Sequence, residues 1–368
     1  MRKVLSVATA CLIVLPAITE AQPLRLDRER VLSTVGDVLP ENIALQPTLP
    51  GPGLVSRQTV SKDATGSLRL HFTIIEQPSE PSWHLEVASA SGARQQLRPD
   101  PDERDFWTAE IPGSSATVEM FTTAATVPVK LIIDRVAVGR TPITPQSIFG
   151  ADQRELYRVQ PDPIRTLGRS VVRLQFVDDV KKKVFVCTGF LVFTSAHLLT
   201  NEHCINSDAE MKSALVDFDF DGGGIATRTV KLSKFLMSDA ALDFSLLQLA
   251  EPADRAVLTL KPGVDTDGRP LLVIEHPGGE VKQVSFRDCA VKGPKRPGAS
   301  SAMTDFGHTC DTLGGSSGSP VFDTTGFTVV GLHHFGFFDG DPNPVNQAVH
   351  IALVIDAIKK RFPTLIRP

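Results

Sequence analysis

Apolar and polar residues alternate at period two through most of this chain, and that alternation confines it to β-structure. Leu68, Leu70, Phe72 and Ile74 share one strand face, as do Trp83, Leu85 and Val87, and later Val127, Val129, Leu131 and Ile133. Strand-like runs continue with SVVRLQFV from Ser170, KVFVCTGFLVF from Lys183, ALVDFDF from Ala214, FSLLQLA from Phe244, LLVIEHP from Leu271 and FTVVGLHHFG from Phe327. Helical spacing occurs only at the end, in Ile351, Val354, Ile355, Ile358 and Phe362, with Lys359, Lys360 and Arg361 where positive charge suits a helix C-terminus. The expectation is therefore all-β, with a small β-sandwich over 66–140 and a strand-rich domain with a terminal helix over 148–368. About 215 residues of strands and turns suit two packed barrels, and no internal repeat points to a propeller or solenoid. Residues 22–65 contain LPENIALQPTLPGPGL, Pro-rich and weakly periodic, and read as a linker or arm without a fold.

Hydrophobic residues make up 42% of the 368 residues and charged residues 22%, enough apolar surface for buried cores. A net charge of -4 offers no general attraction to phosphate backbones or anionic lipid, so nucleic acid is not an expected partner. Met1-Arg2-Lys3, an apolar run from Val4 to Ile18 and Thr19-Glu20-Ala21 read as a signal peptide over 1–21. The run falls short of the roughly 20 apolar residues needed to cross a bilayer. A secreted or periplasmic, monomeric protein free of the membrane after cleavage is expected. Cys11 would leave with that peptide. Cys187, Cys204, Cys289 and Cys310 remain, an even number that allows three pairings. Pairing Cys187 with Cys204 and Cys289 with Cys310 is favoured, each pair being about one hairpin apart. No Cys-x-x-Cys spacing points to a metal, and no cofactor is expected.

The chemistry concentrates in CDTLGGSSGSPVFD, from Cys310 to Asp323. Ser317 stands in a Gly/Ser turn between a cysteine and the strand-like VF. A serine hydroxyl attacks a carbonyl only when a base takes its proton and N–H donors meet the oxyanion. Gly315 and Ser317 can supply those donors. LLTNEHCI places His203 at the end of an apolar strand beside Cys204, as the base. Asp243, just before FSLLQL, can be buried against the imidazole and hold its tautomer, with Asp239 as runner-up. Two calcium-like stretches carry less weight. PDPDER at 99–104 suits an acidic turn, and Asp217, Asp219, Asp221 and Gly222 lack the closing Glu, since Arg228 takes its place among residues that alternate as a strand. His333 and His334 lack a third zinc ligand nearby.

TNEHC, DFSLLQL and GGSSGSPV resemble the trypsin-like serine peptidases of chymotrypsin fold, most closely the bacterial glutamyl-endopeptidase-like branch. The order His, Asp, Ser agrees, whereas an α/β-hydrolase runs Ser, Asp, His and has Gly where Ser319 stands. The resemblance covers roughly 148–368, and IFGADQRELYRV near Ile148 is similar to the mature start of that branch. LRLHF, FWTAEIPG and TVEM resemble accessory sandwich domains of secreted bacterial peptidases. What this implies is a double β-barrel serine endopeptidase acting on proteins or peptides through His203, Asp243 and Ser317. The rival is a catalytically silent peptidase fold that binds proteins or surfaces. Ser316 occupies the position where trypsinogen-like zymogens carry the aspartate that pairs with a newly cut amine, so activation by that ion pair is not expected. Whether 22–147 is removed or retained stays open. For substrate preference, Asp311 lies six residues before Ser317, the offset of the carboxylate that selects Lys or Arg. The glutamyl-endopeptidase-like branch implies instead that Thr312 and a histidine of GLHH, His333 ahead of His334, bond a substrate carboxylate. Strand alternation lets only one of the two histidines face the pocket.

Overall fold

The computed structural model describes residues 31–366, apart from 50, 64–65, 81, 125–126, 145, 223–225 and 338–342. The expected signal peptide and Cys11 lie outside the described residues. Strands account for 47% of the described residues and helix for 9%.

Six strands, Val171–Asp178, Lys183–Leu191, His197–Thr200, Leu215–Phe218, Arg228–Asp239 and Phe244–Leu249, close into a barrel. Leu174, Phe176, Phe185, Leu198, Val216 and Leu247 fill its interior. Val171–Asp178 is buried at every position, so the alternation expected of a half-exposed strand is lost here. Its outer face is covered twice, Arg173, Gln175 and Val177 by the N-terminal half and Val171 by a second layer. Val171, Phe190, Leu199 and Leu246 pack outward against Leu272, Ile274 and Phe322 of a seven-stranded antiparallel sheet. That sheet includes Leu271–Glu275, Pro320–Asp323, Thr328–Phe335, Asn346–His350 and Asp305–His308. The terminal helix Ile351–Arg361 buries Ile351, Val354 and Ile358 in the same core and ends on three basic residues. This is the expected trypsin-like arrangement.

The linker reading of 22–65 needs correction, because Ser33–Leu45 and Gly53–Ser61 are strands. Two devices hide the first of them from a periodicity search: a bulge after Pro40 and another at Thr34/Gly36. Gly36 is required there, since a Cβ would lie 2.7 Å from Val138 O. Ser33–Leu45 pairs along most of its length with Lys130–Ile143, while its first residues also pair with Lys183–Val186 of the barrel. One eleven-stranded sheet therefore runs through both halves of the molecule. Gly53–Ser61, Ser115–Thr122, Trp83–Ser89 and Arg94–Leu97 form the other sheet of the sandwich, around a core that includes Phe72, Trp83, Val118 and Ile133. Buried polar groups also bridge the halves. Arg69 donates to Gln175 Oε1 at 3.3 Å and Ser213 O at 2.6 Å, and Arg173 pairs with Asp217 at 2.7 Å and Glu110 at 2.9 Å. Burial pushes the Arg69 pKa down to about 10, against the pull of Glu110 and Asp217.

Candidate active site

Cys187 is bridged to Cys204 and Cys289 to Cys310. The first bridge ties strand Lys183–Leu191 to the turn that follows His197–Thr200, and that turn carries His203. Asp243 precedes strand Phe244–Leu249 at φ +49°, a left-handed conformation that Asp tolerates better than most residues. Its main-chain carbonyl accepts from Asn201 Nδ2 at 2.9 Å. Its carboxylate grips His203 twice, Oδ1 accepting the backbone N–H at 2.9 Å and Oδ2 meeting Nδ1 at 2.7 Å. Burial works against charge on Asp243, but His203 and His334 hold its carboxyl well below the usual range. A proton held on Nδ1 leaves Nε2 as the free base, and Nε2 is buried with no hydrogen-bond partner among the described residues. Asp239 caps the backbone of Ala241 and Leu242 instead.

The Ser317 turn adjoins the Cys187–Cys204 bridge, whose second cysteine follows His203 in sequence. The Ser317 carbonyl accepts from Thr188 N at 2.8 Å and lies 3.9 Å from Cys204 Sγ. The turn around it is shaped by Gly315 (φ +93°) and Gly318 (φ +88°). A Cβ on Gly315 would lie 2.8 Å from His276 O, and one on Gly318 would collide with Thr188 O. Ser316, Gly318 and Ser319 spend their N–H groups on Leu313 O, His333 O and Ser316 O. The N–H groups of Gly315 and Ser317 make no hydrogen bond to described residues, so two donors from alternate residues stay available for an oxyanion.

The pocket residues divide differently from expectation. Asp311 accepts Phe149 N at 2.8 Å on Oδ1 and Gln153 N at 3.0 Å on Oδ2. Both oxygens thus anchor the 149–153 segment, a correction to its reading as a receptor for substrate cations. Thr312 is buried, its backbone paired with Ser147. His333 and His334 point to opposite sides of their strand. His333 Nδ1 meets His308 Nε2 at 3.1 Å. His334 lies behind the Asp243 carboxylate, with Nδ1 3.1 Å from Asp243 Oδ2 and Nε2 2.6 Å from Asp305 Oδ2.

Burial opposes charge on His334, yet Asp305 and Asp243 overcome it and push its pKa up to about 9. Burial takes His308 down to about 3, helped by the nearby His334, and leaves His333 well below its ordinary value. Under the turn, Glu275 is buried, and desolvation pushes it up to about 8 against the pull of Arg154 and of the Ser316 side chain. Asp305, His308, Glu275 and the position of His334 were not identified from sequence. A lone acid inside the apolar runs TDFGH and LLVIEH was the available signal. Among the described residues, the one grouping close enough to ligate a metal is Cys187, His203 and Cys204, and its sulfurs are joined in a disulfide. Asp217 and Asp219 are engaged by Arg173 and Arg255.

Two curated proteins are similar over about half of the chain. One is the secreted RxLR effector protein 73 of Plasmopara viticola, 29% identical over 198 residues (48% of this chain, 46% of that protein). The other is the uncharacterized protein y4fB of Sinorhizobium fredii, 30% identical over 192 residues (47% of this chain, 28% of that protein). The chain spans less than half the length of either. Among solved structures, the Rv3671c protease of M. tuberculosis in its active form aligns at TM-score 0.42 and 17% identity, over 55% of this chain and 88% of that one. A serine endoprotease from Yersinia pestis aligns at TM-score 0.43 and 18% identity, over 55% of this chain and 65% of that one. Residues 187–332, which hold His203, Asp243, Ser317 and both available donors, match the family model of the trypsin-like peptidase domain.

Proposed function

We propose that this protein is an exported serine endopeptidase that cleaves protein or peptide substrates through an acyl-enzyme. The observation that carries the reading is the double grip of Asp243 on His203, which leaves Nε2 without a hydrogen-bond partner among the described residues, while Ser317 is held by Thr188 beside the bridged Cys204. In this mechanism Ser317 Oγ attacks the scissile carbonyl and its proton passes to Nε2. Asp243 stabilises the imidazolium, and the N–H groups of Gly315 and Ser317 take the oxyanion. Nε2 then protonates the leaving amine, and water, activated by the same nitrogen, releases the acyl group. No described helix is long and apolar enough to cross a membrane, and two disulfides suit an oxidising compartment. The unoccupied donors weigh against a silent peptidase fold that serves as a binding module.

Ser317→Ala should lower turnover by about 10⁶-fold and abolish labelling by a fluorophosphonate. Wild-type protein that neither labels nor cleaves any peptide library would sink the assignment. For specificity, with Asp311 engaged by backbone, the reading that remains is an acidic residue before the scissile bond, bonded by Thr312 and His333. Matched substrates with Glu, Lys or Leu at that position test it, and His333→Ala should selectively slow the Glu substrate. A strong Lys preference would overturn it.

A further inference from the structure

We infer that Ser33, at the start of the N-terminal strand, is a positioning residue for the oxyanion donor, and that the N-terminal half is a built-in part of the catalytic unit. The proposal rests on the peptidase reading above. Leu32 is buried in the barrel core beside Leu174 and Phe176. Ser33 is fully buried and pairs with Val186, one residue before the bridged Cys187. Its hydroxyl donates to Gly314 O at 2.7 Å and is hydrogen-bonded at 3.0 Å to Thr144 Oγ1, just past strand Lys130–Ile143 where the sandwich meets the barrel. Gly278 N donates to the same Gly314 carbonyl at 2.7 Å.

That carbonyl belongs to the peptide whose N–H is the Gly315 donor. A peptide unit is planar and trans, so its C=O and N–H point in opposite directions, and fixing one fixes the other. Gly314 and Gly315 have no Cβ to resist rotation of the plane between them, so local sequence does little to set its direction. The restraint comes from outside the loop, through one hydrogen bond from Gly278 and one from Ser33. The second crosses 281 positions of sequence. Gly315 O is held in turn by Thr188 Oγ1 at 2.9 Å, so the loop is pinned on both sides of the donor. The Ser33–Leu45 strand is shared by both halves, and Arg69 and Arg173 bridge them. Removing the N-terminal half would therefore withdraw a restraint on the catalytic loop.

The test is Ser33→Ala in the full chain, with three readouts: kcat and KM on a cleaved peptide, fluorophosphonate labelling rate, and amide hydrogen exchange over residues 312–318. The expected result is a fall of about tenfold in kcat and labelling, smaller than the 10²–10³ for deleting a donor outright. KM should stay within about twofold, and exchange in the loop should be faster while the barrel strands are unaffected. Ser33→Thr, which restores the hydroxyl, should recover the rate. If Ser33→Ala does not fold, Ser33→Cys keeps the volume, gives up the strong donor and carries the same prediction. Wild-type kinetics and unchanged loop exchange in a protein whose wild type labels would overturn this proposal alone. Wild type that does not label would overturn the peptidase reading and this proposal with it.

Discussion

Two pairs of buried histidines lie side by side in this molecule, and they differ in that His334 of the first is held charged while burial keeps both rings of the second neutral. His203 and His334 flank Asp243, and Asp305 closes the far side of His334. His308 and His333 face each other with no carboxylate bonded to either ring. All four are almost completely removed from solvent, so burial alone does not distinguish them. Desolvation penalises every imidazolium, and only a carboxylate within hydrogen-bonding distance repays it. His333 and His334 are sequence neighbours, yet strand alternation sends one to a neutral cluster and the other into a carboxylate cage. The protein thus keeps a positive charge on His334 behind the Asp243 carboxylate and an uncharged pair on the other side of the same strand.

The largest disruption of this contrast is Asp243→Ala. It removes the acceptor shared by both rings of the first pair, and kcat should fall by roughly 10⁴-fold, as for other triad carboxylates. A smaller and more selective change is Asp305→Asn, which leaves the His203 bonds in place. In the wild type His334 keeps its proton up to about pH 9, while in the unfolded chain it titrates near 6.5. The native state therefore binds more protons between those values, and this contribution to stability is full below about 6.5 and lost as pH rises through 9. Thermal midpoints measured from pH 6 to 10 should show a shallower alkaline decline in Asp305→Asn, with kcat down by about tenfold. An unchanged alkaline slope would mean that Asp305 does not hold His334 charged.

The smallest effect is expected on the neutral side, with His308→Gln. Native His308 stays uncharged until about pH 3, so below 6.5 the unfolded chain binds more protons and stability falls as pH drops toward 3. Glutamine cannot titrate. The variant should lose part of that acid-side decline in midpoints measured from pH 7 to 3, and cleavage of a Leu substrate should stay within about twofold of wild type.

The residues proposed for chemistry were legible because each stands out against its surroundings: a serine among glycines, a histidine at the end of an apolar strand, an acid before one. Their partners were not. Asp305 and Glu275 look like ordinary strand acids until packing removes their water, and their surroundings are set by neighbours distant in sequence, His334 for Asp305 and Arg154 for Glu275. Asp311 was misread because its partners are the backbone N–H groups of Phe149 and Gln153, which leave no mark in side-chain identity. In the fold, alternation identified most barrel and sandwich strands. It failed for Ser33–Leu45, where two bulges and Pro40 break the period while the strand still joins the two halves of one sheet.

The Cys187–Cys204 bridge lies between two groups that must meet. Thr188, next to one sulfur, holds the carbonyl of Ser317, and His203 is next to the other. A thiol reductant would cut the tether between nucleophile and base without touching either. The same chemistry separates compartments: glutathione-rich cytosol disfavours the bridge, and an oxidising exterior keeps it. If the proposed peptidase reading holds, a chain folded with reduced thiols would lack the staple between the strand that holds the Ser317 carbonyl and the turn that carries His203, so hydrolysis would depend on oxidation.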